Sequence, residues 1–306
     1  MIASLAAVAM PAVAMPAVAM PPIGVGSVPQ GFPGWLWWGL IFVLGAVIGS
    51  FLNVCITRWP MELSVVAPRS RCPRCQRPIA WYENIPLASW LALGGRCRGC
   101  KLRISIQYPA VELLIALGWL AAFLMIGSPL TALRVAVFGT ILAGVAITDL
   151  QYYLIPDGFT VFGLVWVAVT SVVGVLLRDG GGFANPYDAI IGACVGAGAI
   201  SIIGWLGEVV LKKEAMGFGD VTLMAVVGAA VGPGRTLLTV FIGAALGAIV
   251  FLVFVLPFTW VRSRQKQVPF EPPLVPFGVF LAPAALVALL WGYRLISWYL
   301  GRVGLL

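Results

Sequence analysis

Apolar residues in this chain gather into eight runs, near residues 35–56, 109–127, 132–150, 158–177, 188–210, 220–232, 236–261 and 275–300. Most approach about 20 residues, the length an α-helix needs to cross the ~30 Å hydrocarbon core of a bilayer. Short polar breaks separate them, among them Pro156-Asp157, the stretch from Arg178 to Pro186, and Lys212-Lys213. The pattern predicts an all-α polytopic membrane protein with eight transmembrane helices. Trp35, Trp37 and Trp38 cluster at one end of the first run, as side chains of an interfacial belt do. Gly45, Gly49 and Ser50 share one side of that run and would let a second helix approach closely. Asn53, an amide inside a span, needs a partner and should face protein or a polar cavity rather than lipid.

Residues 57–108 are the long hydrophilic exception, and they carry Cys72-Pro-Arg-Cys75 and Cys97-Arg-Gly-Cys100. Two such pairs about twenty residues apart offer four thiolates to one Zn²⁺ in a zinc-ribbon-like subdomain. Four protein ligands fill a tetrahedral shell, so the metal should hold the fold of the loop rather than catalyse. The alternatives are two disulfides or a redox pair, which suit an oxidising compartment better than the cytosol. Cys55 and Cys194 sit in apolar spans and read as packing residues.

Charge sets the topology. Between Arg58 and Arg103 stand nine Lys or Arg residues against two acids, Glu62 and Glu83, a bias that keeps a loop in the cytosol. Alternating sides from there puts Lys212, Lys213, Arg262, Arg264 and Lys266 inside as well, so fourteen of the 19 basic residues are cytosolic and both chain ends lie outside.

Composition narrows the chemistry. With 61% hydrophobic and 10% charged residues and a mean hydropathy of +1.03, the chain is no ordinary soluble globule, whose charged share is about 25%. It contains no histidine, which excludes Ser/His and Cys/His catalysis and histidine metal ligation together. Reactive groups must come from eleven acids and six cysteines. The bilayer is a partner; no nucleic-acid partner is expected. Residues 1–33 form a proline-rich tail built on the repeat Ala7-Val-Ala-Met-Pro11, Ala12 to Pro16 and Ala17 to Pro21, in which the prolines forbid a continuous helix. It lacks the basic start of a signal peptide and is expected to be disordered, with Met10, Met15 and Met20 as alternative initiators.

Two carboxylates stand out. Asp149 ends the third run and Asp220 opens the sixth, in the sequence Gly217-Phe-Gly-Asp220. An acid at the edge of hydrocarbon costs a few kcal/mol unless it is protonated, hydrated or paired. The topology puts both at the cytosolic boundary, where they can meet. Gly217 and Gly219 remove side-chain bulk and permit unusual backbone angles, so an extended strand could lie there. Asp157 competes with Asp149 for the role but reads as a helix cap after Pro156. Two close carboxylates share a proton, one serving as base on a water while the other polarises a carbonyl and later protonates the leaving amine, which is aspartyl peptide hydrolysis. A proton-coupled transporter uses membrane carboxylates too, and a zinc-scaffolded assembly factor would need neither.

Together these motifs resemble the type IV prepilin leader peptidases, which are bifunctional enzymes of pilus and type II secretion systems. The resemblance rests on Gly49-Ser-Phe-Leu-Asn53-Val, both cysteine pairs, Trp81-Tyr-Glu-Asn-Ile-Pro-Leu-Ala-Ser89, Tyr108-Pro-Ala-Val-Glu112-Leu, Asp149-Leu-Gln-Tyr-Tyr-Leu-Ile-Pro-Asp157, Gly217-Phe-Gly-Asp220 and Pro276-Phe-Gly278. It implies that Asp149 and Asp220 are the catalytic pair of a Gly-x-Gly-Asp protease in the bacterial inner membrane. Such a protease cuts the basic leader from prepilins and pseudopilins after a glycine that precedes an apolar helix. It also implies N-methylation of the new amino terminus with S-adenosylmethionine, an activity associated with the loop between the first two spans. The chain then divides into the tail 1–33, a first transmembrane helix 34–56, a cytosolic four-cysteine subdomain 57–108 and a peptidase core 109–306. Glu112, followed by Asn53 and Glu83, are candidates to accept a proton from the amine or to hold it. No glycine-rich S-adenosylmethionine fingerprint is visible. Because the basic loop repels a basic leader, its charges suit topology and anionic headgroups, and Glu62, Glu83, Glu214 or Glu271 could contact the leader.

Overall fold

A computed structural model describes residues 28–29, 31–179, 181–212, 216–266 and 275–304. The repeats of the amino-terminal tail, Lys213, Glu214 and Glu271 lie outside the described residues. Helix α1 spans Gly34–Arg58, and a short helix α2, Ala88–Ala92, sits in the polar loop that follows. The bundle continues with α3 (Gln107–Met125), α4 (Pro129–Tyr152), α5 (Asp157–Leu176), α6 (Pro186–Leu211) and α7 (Phe218–Val231). It closes with α8 (Pro233–Val250), α9 (Leu256–Lys266) and α10 (Gly278–Val303). A π-helical segment, Phe251–Val255, joins α8 to α9. Among the described residues there is no strand beyond two isolated bridges, so the molecule is all-α.

Seven of these helices are long and apolar enough to cross a membrane. The eighth expected span, α7, has only 14 residues and reaches about 21 Å, less than the hydrocarbon thickness. It is shielded rather than exposed to lipid: Leu223, Met224, Val227 and Ala230 are fully buried. Its backbone touches that of α6 where Gly192 meets Gly228, a contact with no room for a Cβ on either side.

Local chemistry sets the helix limits. Ser128 caps α4 by accepting from the Thr131 N–H (3.3 Å), Asn185 caps α6 by accepting from Asp188 (2.9 Å), and Pro129 and Pro186 follow as first residues that need no donor. Gly232, at φ 79°, makes the sharp break between α7 and α8. The small stripe on α1 does what its pattern predicts: a Cβ on Gly45 would stand 2.8 Å from Ala116 Cα and one on Gly49 2.8 Å from Glu112 Cα. Helices α1 and α3 therefore pack backbone to backbone. Cys55 is buried in that region, whereas Cys194 is exposed and is not part of the buried core.

The bundle has two chemically distinct ends. At one, α1 ends, α4 ends, and α5, α7 and α10 begin. Trp59, just past α1, packs edge-on against Phe159 of α5 with ring centroids 4.5 Å apart. At the other end the loop between α5 and α6 is held by two buried arginines. Arg134 lies over the Phe183 ring (4.1 Å), while Arg235 lies over Tyr293 (4.2 Å) and donates to the carbonyls of Gly182 and Leu289. Asp179 in the same loop accepts from the hydroxyls of Ser128 and Thr131.

Candidate active site

Helix α4 delivers Asp149 in its last turn, with its side chain turned inward and 6% exposed. The carboxylate meets the backbone N–H groups of Gly278 and Val279, the free donors at the start of α10. A helix N-terminus of that kind favours negative charge. Asp149 Oδ2 is buried and makes no hydrogen bond among the described residues, so one oxygen of this carboxylate stays uncommitted. Asp220 lies in the first turn of α7, half-buried, with its own N–H bonded to Gly217 O (3.1 Å). The two aspartates are close enough for the charge of one to act on the other.

Ile155 explains how the four chain segments fit. It is buried in the link between α4 and α5, and a Cβ on Gly219 would come within 2.9 Å of its Cβ, one on Gly278 within 3.1 Å of its Cδ1. The starts of α7 and α10 thus close on the same side chain, and a Cβ at Gly219 would press directly on the Ile155 Cβ. Gly217 differs from expectation. Its backbone is ordinary extended chain (φ −78°, ψ 151°), and neither Gly217 nor Gly219 takes a positive φ. What Gly217 provides is open space, with nothing within 4 Å of a Cβ built there. Asp157 is the first residue of α5 and makes no side-chain cap bond, Pro156 occupying the cap position, so it is a first-turn acid and not a cap. Gly278 and Ile155 carried no role in the sequence reading, although both stand in the quoted motifs.

The four cysteines of the loop converge: Cys72, Cys75, Cys97 and Cys100 place their sulfurs within 4.8 Å of one another, and none is in a disulfide. Cys72 and Cys100 sulfurs are 3.7 Å apart, those of Cys75 and Cys97 3.9 Å. Four sulfurs at ~2.3 Å from one central ion stand about 3.8 Å apart, so the cluster fits a tetrahedral metal. The two knuckles repeat one another. In each, the first cysteine N–H pairs with a carbonyl five residues on (Arg77 O, 3.0 Å; Leu102 O, 2.8 Å), and the residue after the second cysteine, Gln76 or Lys101, is left-handed. Backbone N–H groups of Cys75 and Arg74 pull the Cys72 thiol below the usual thiol range, toward the thiolate a metal takes.

Glu83 ties the knuckles together, bonded to Arg77 (2.9 Å) and Arg98 (3.4 Å). Burial pushes its carboxyl up, but the Ala80 N–H and the two guanidinium groups outweigh this and hold it below the usual carboxylate range. Glu112 reaches from α3 to accept the Leu87 N–H (2.8 Å), a residue held at φ 59°. Asn53 donates to Gly49 O (3.3 Å) and Tyr108 O (3.1 Å), tying α1 to the start of α3. All three line a cavity of about 500 Å³ between the ends of α1 and α3 and the cysteine knuckles, with Trp90 and Ser89 in its wall.

Comparison with known proteins decides the family. The description "Bacterial Peptidase A24 N-terminal domain" matches residues 43–126, and "Type IV leader peptidase family" matches residues 136–252. A prepilin leader peptidase/N-methyltransferase of Aeromonas hydrophila is 35% identical over 90% of this chain and 97% of its own length. The chain belongs to the type IV leader peptidase family. Prepilin leader peptidase/N-methyltransferases from Myxococcus xanthus (40% identical over 80% of this chain and 71% of its own) and Pseudomonas aeruginosa (34%, 86% and 93%) are similar. No solved structure matches the chain. The first match contains the cysteine knuckles and the cavity, the second both aspartates; Gly278 lies beyond the second.

Proposed function

We propose that this protein removes the leader peptide from prepilins and pseudopilins at the cytosolic face of the bacterial inner membrane and N-methylates the amino terminus so exposed. The observation that carries the reading is that Asp149 and Asp220 lie near enough at one end of an apolar bundle for their charges to interact, in a chain of the leader peptidase family. The basic loop 57–108 is at that same end, which by its charge is the cytosolic one.

In this reading one aspartate, ionised, takes a proton from a water held between the pair, and the water oxygen attacks the scissile carbonyl carbon. The other, protonated, gives its proton to the carbonyl oxygen; as the tetrahedral intermediate collapses it takes that proton back, and the first aspartate passes the proton it took from water to the leaving nitrogen as the C–N bond breaks. The donors of Gly278 and Val279 hold Asp149 in place through the cycle. Open space at Gly217 admits the substrate backbone beside Asp220.

Residues 57–108 act as the methyl-transfer subdomain and residues 109–306 as the peptidase core. Cys72, Cys75, Cys97 and Cys100 would hold a structural Zn²⁺, their spacing fitting a tetrahedral shell with no open position. The 500 Å³ cavity would take S-adenosylmethionine, a volume in the range of small-molecule sites. That molecule supplies an electrophilic methyl group, and proximity to the free amine supplies most of the acceleration. Glu112 and Asn53 position the cavity floor, since their bonds fix the loop and the α3 start. Glu83 clamps the knuckles and so shapes the wall.

Purified enzyme incubated with a prepilin and methyl-labelled S-adenosylmethionine tests both halves. A shortened product carrying label on its new amino terminus is expected; an uncut prepilin, or solute movement without cleavage, would refute the reading.

A further inference from the structure

Helices α3, α4 and α10 leave an apolar groove of about 440 Å³ between them, with α4 as its floor. It runs from Thr131 to Ala146 along α4, about 22 Å of helix. The floor is small: Gly139, Ala143 and Ala146 follow one face, opposite Gly118 of α3. A Cβ on Gly118 would meet nothing within 4 Å, and one on Gly139 would meet only Leu286 Cδ2 at 3.8 Å. Elsewhere on α4 the glycine is filled, since Phe159 packs onto Gly144. The Trp119 indole and the Thr140 hydroxyl in the wall bond each other (3.0 Å), so the groove offers no free polar group there. Its space therefore belongs to an apolar occupant that can bring backbone close to backbone.

The end of the groove says which occupant. Ala146 lies one turn before Asp149 on α4, and Ala282, also in the wall, lies one turn after Gly278 on α10. Floor and wall thus both lead to the carboxylate whose Oδ2 is buried and makes no hydrogen bond among the described residues.

We propose that this groove docks the apolar helix of the substrate, laying it against α4 so that its cytosolic end presents the scissile bond at Asp149 and Asp220. The proposal rests on the reading of the aspartates given above. Small residues let the substrate helix approach α4 closely, where van der Waals contact replaces the hydrophobic drive that a bilayer lacks. Binding along ~15 residues fixes the depth of the bond, and depth decides which bond is cut.

The test fills the groove. Gly139→Leu and Gly118→Leu are compared with Gly39→Leu, where an exposed glycine elsewhere on the bundle also has nothing within 4 Å. The substrates are a full-length prepilin in phospholipid vesicles and a soluble peptide that spans the leader junction but lacks the helix. The expected result is a KM for the full-length prepilin raised about 10-fold or more by either groove variant, with kcat/KM for the peptide unchanged and the control like wild type. Unchanged KM for the prepilin, or equal losses on prepilin and peptide, would overturn the proposal. A photo-crosslinking residue in place of Leu114, which lines the groove, should capture the prepilin helix; capture of phospholipid alone or of a second copy of the enzyme would overturn it too. The two readings fail separately. Cleavage by Asp149→Asn and Asp220→Asn would remove the aspartyl site, whereas inactive aspartate variants beside a Gly139→Leu enzyme of normal KM would remove the groove alone.

Discussion

Gly278 stands against Asp149 so closely that a Cβ on the glycine would be 2.8 Å from the aspartate Oδ2. The first turn of α10 therefore acts as a wall for the carboxylate and, through the N–H groups of Gly278 and Val279, as its donor. Gly278→Ala should displace the side chain of Asp149 without unfolding the bundle. Cleavage of prepilin should fall on the order of 10-fold or more, about 1.4 kcal/mol in activation free energy. Thermal unfolding in detergent should change little, and normal turnover in this variant would mean that the contact has no part in the chemistry.

The cysteine cluster predicts a division of labour. Cys72→Ser or Cys97→Ser should lower zinc content, read by metal analysis, and should reduce methyl transfer while leaving cleavage near its wild-type rate. A strong chelator should have the same effect on the unmodified enzyme. Full zinc content in either variant would contradict a four-thiolate site.

Glu112 separates chemistry from positioning. Its Oε2 holds the N–H of Leu87, whose φ of 59° is a conformation that costs roughly 1–3 kcal/mol in a non-glycine residue. Glu112→Ala should release that loop and abolish methylation with cleavage retained. Glu112→Gln keeps an acceptor and should restore most of the activity if the residue positions the cavity. If the carboxylate takes up the proton, Gln should be as inactive as Ala, and the pH profile of methyl transfer should lose an ionisation.

The contact of α1 with α3 predicts a purely structural effect. Gly45→Val would press into Ala116 Cα and Trp119 Cβ, contacts of 2.8 and 3.0 Å already at the Cβ. Overpacking of this kind costs about 1–3 kcal/mol, and a fall in unfolding temperature should report it.

The sequence made the helices legible because their signal is local. An uninterrupted apolar run needs no partner to be recognised, and both cysteine pairs and both aspartates stand in short motifs. The parts that escaped depend on tertiary contact. Gly278 is far from Asp149 along the chain, and nothing in Pro276-Phe-Gly278 reveals which carboxylate it will face. Gly217 was expected to permit unusual backbone angles and to leave room for an extended strand, yet its extended backbone suits any residue and only the empty space around it is special. Arg134 and Arg235 passed without remark, although an arginine near the end of an apolar run invites the question of a partner. The structure answers with aromatic rings for both and, for Arg235, with the carbonyls of Gly182 in the loop and Leu289 in α10. The brevity of α7 was visible in the short run 220–232, but its shelter among α5, α6 and α8 was not.

The most direct measurement compares Asp149→Asn and Asp220→Asn with the unmodified enzyme on two substrates, an intact prepilin and a pilin already freed of its leader. Each variant should lose cleavage of the first by on the order of 10²–10⁴-fold while methylating the second at an undiminished rate. Cleavage that survives in either variant would contradict the claim that these two carboxylates work as one site.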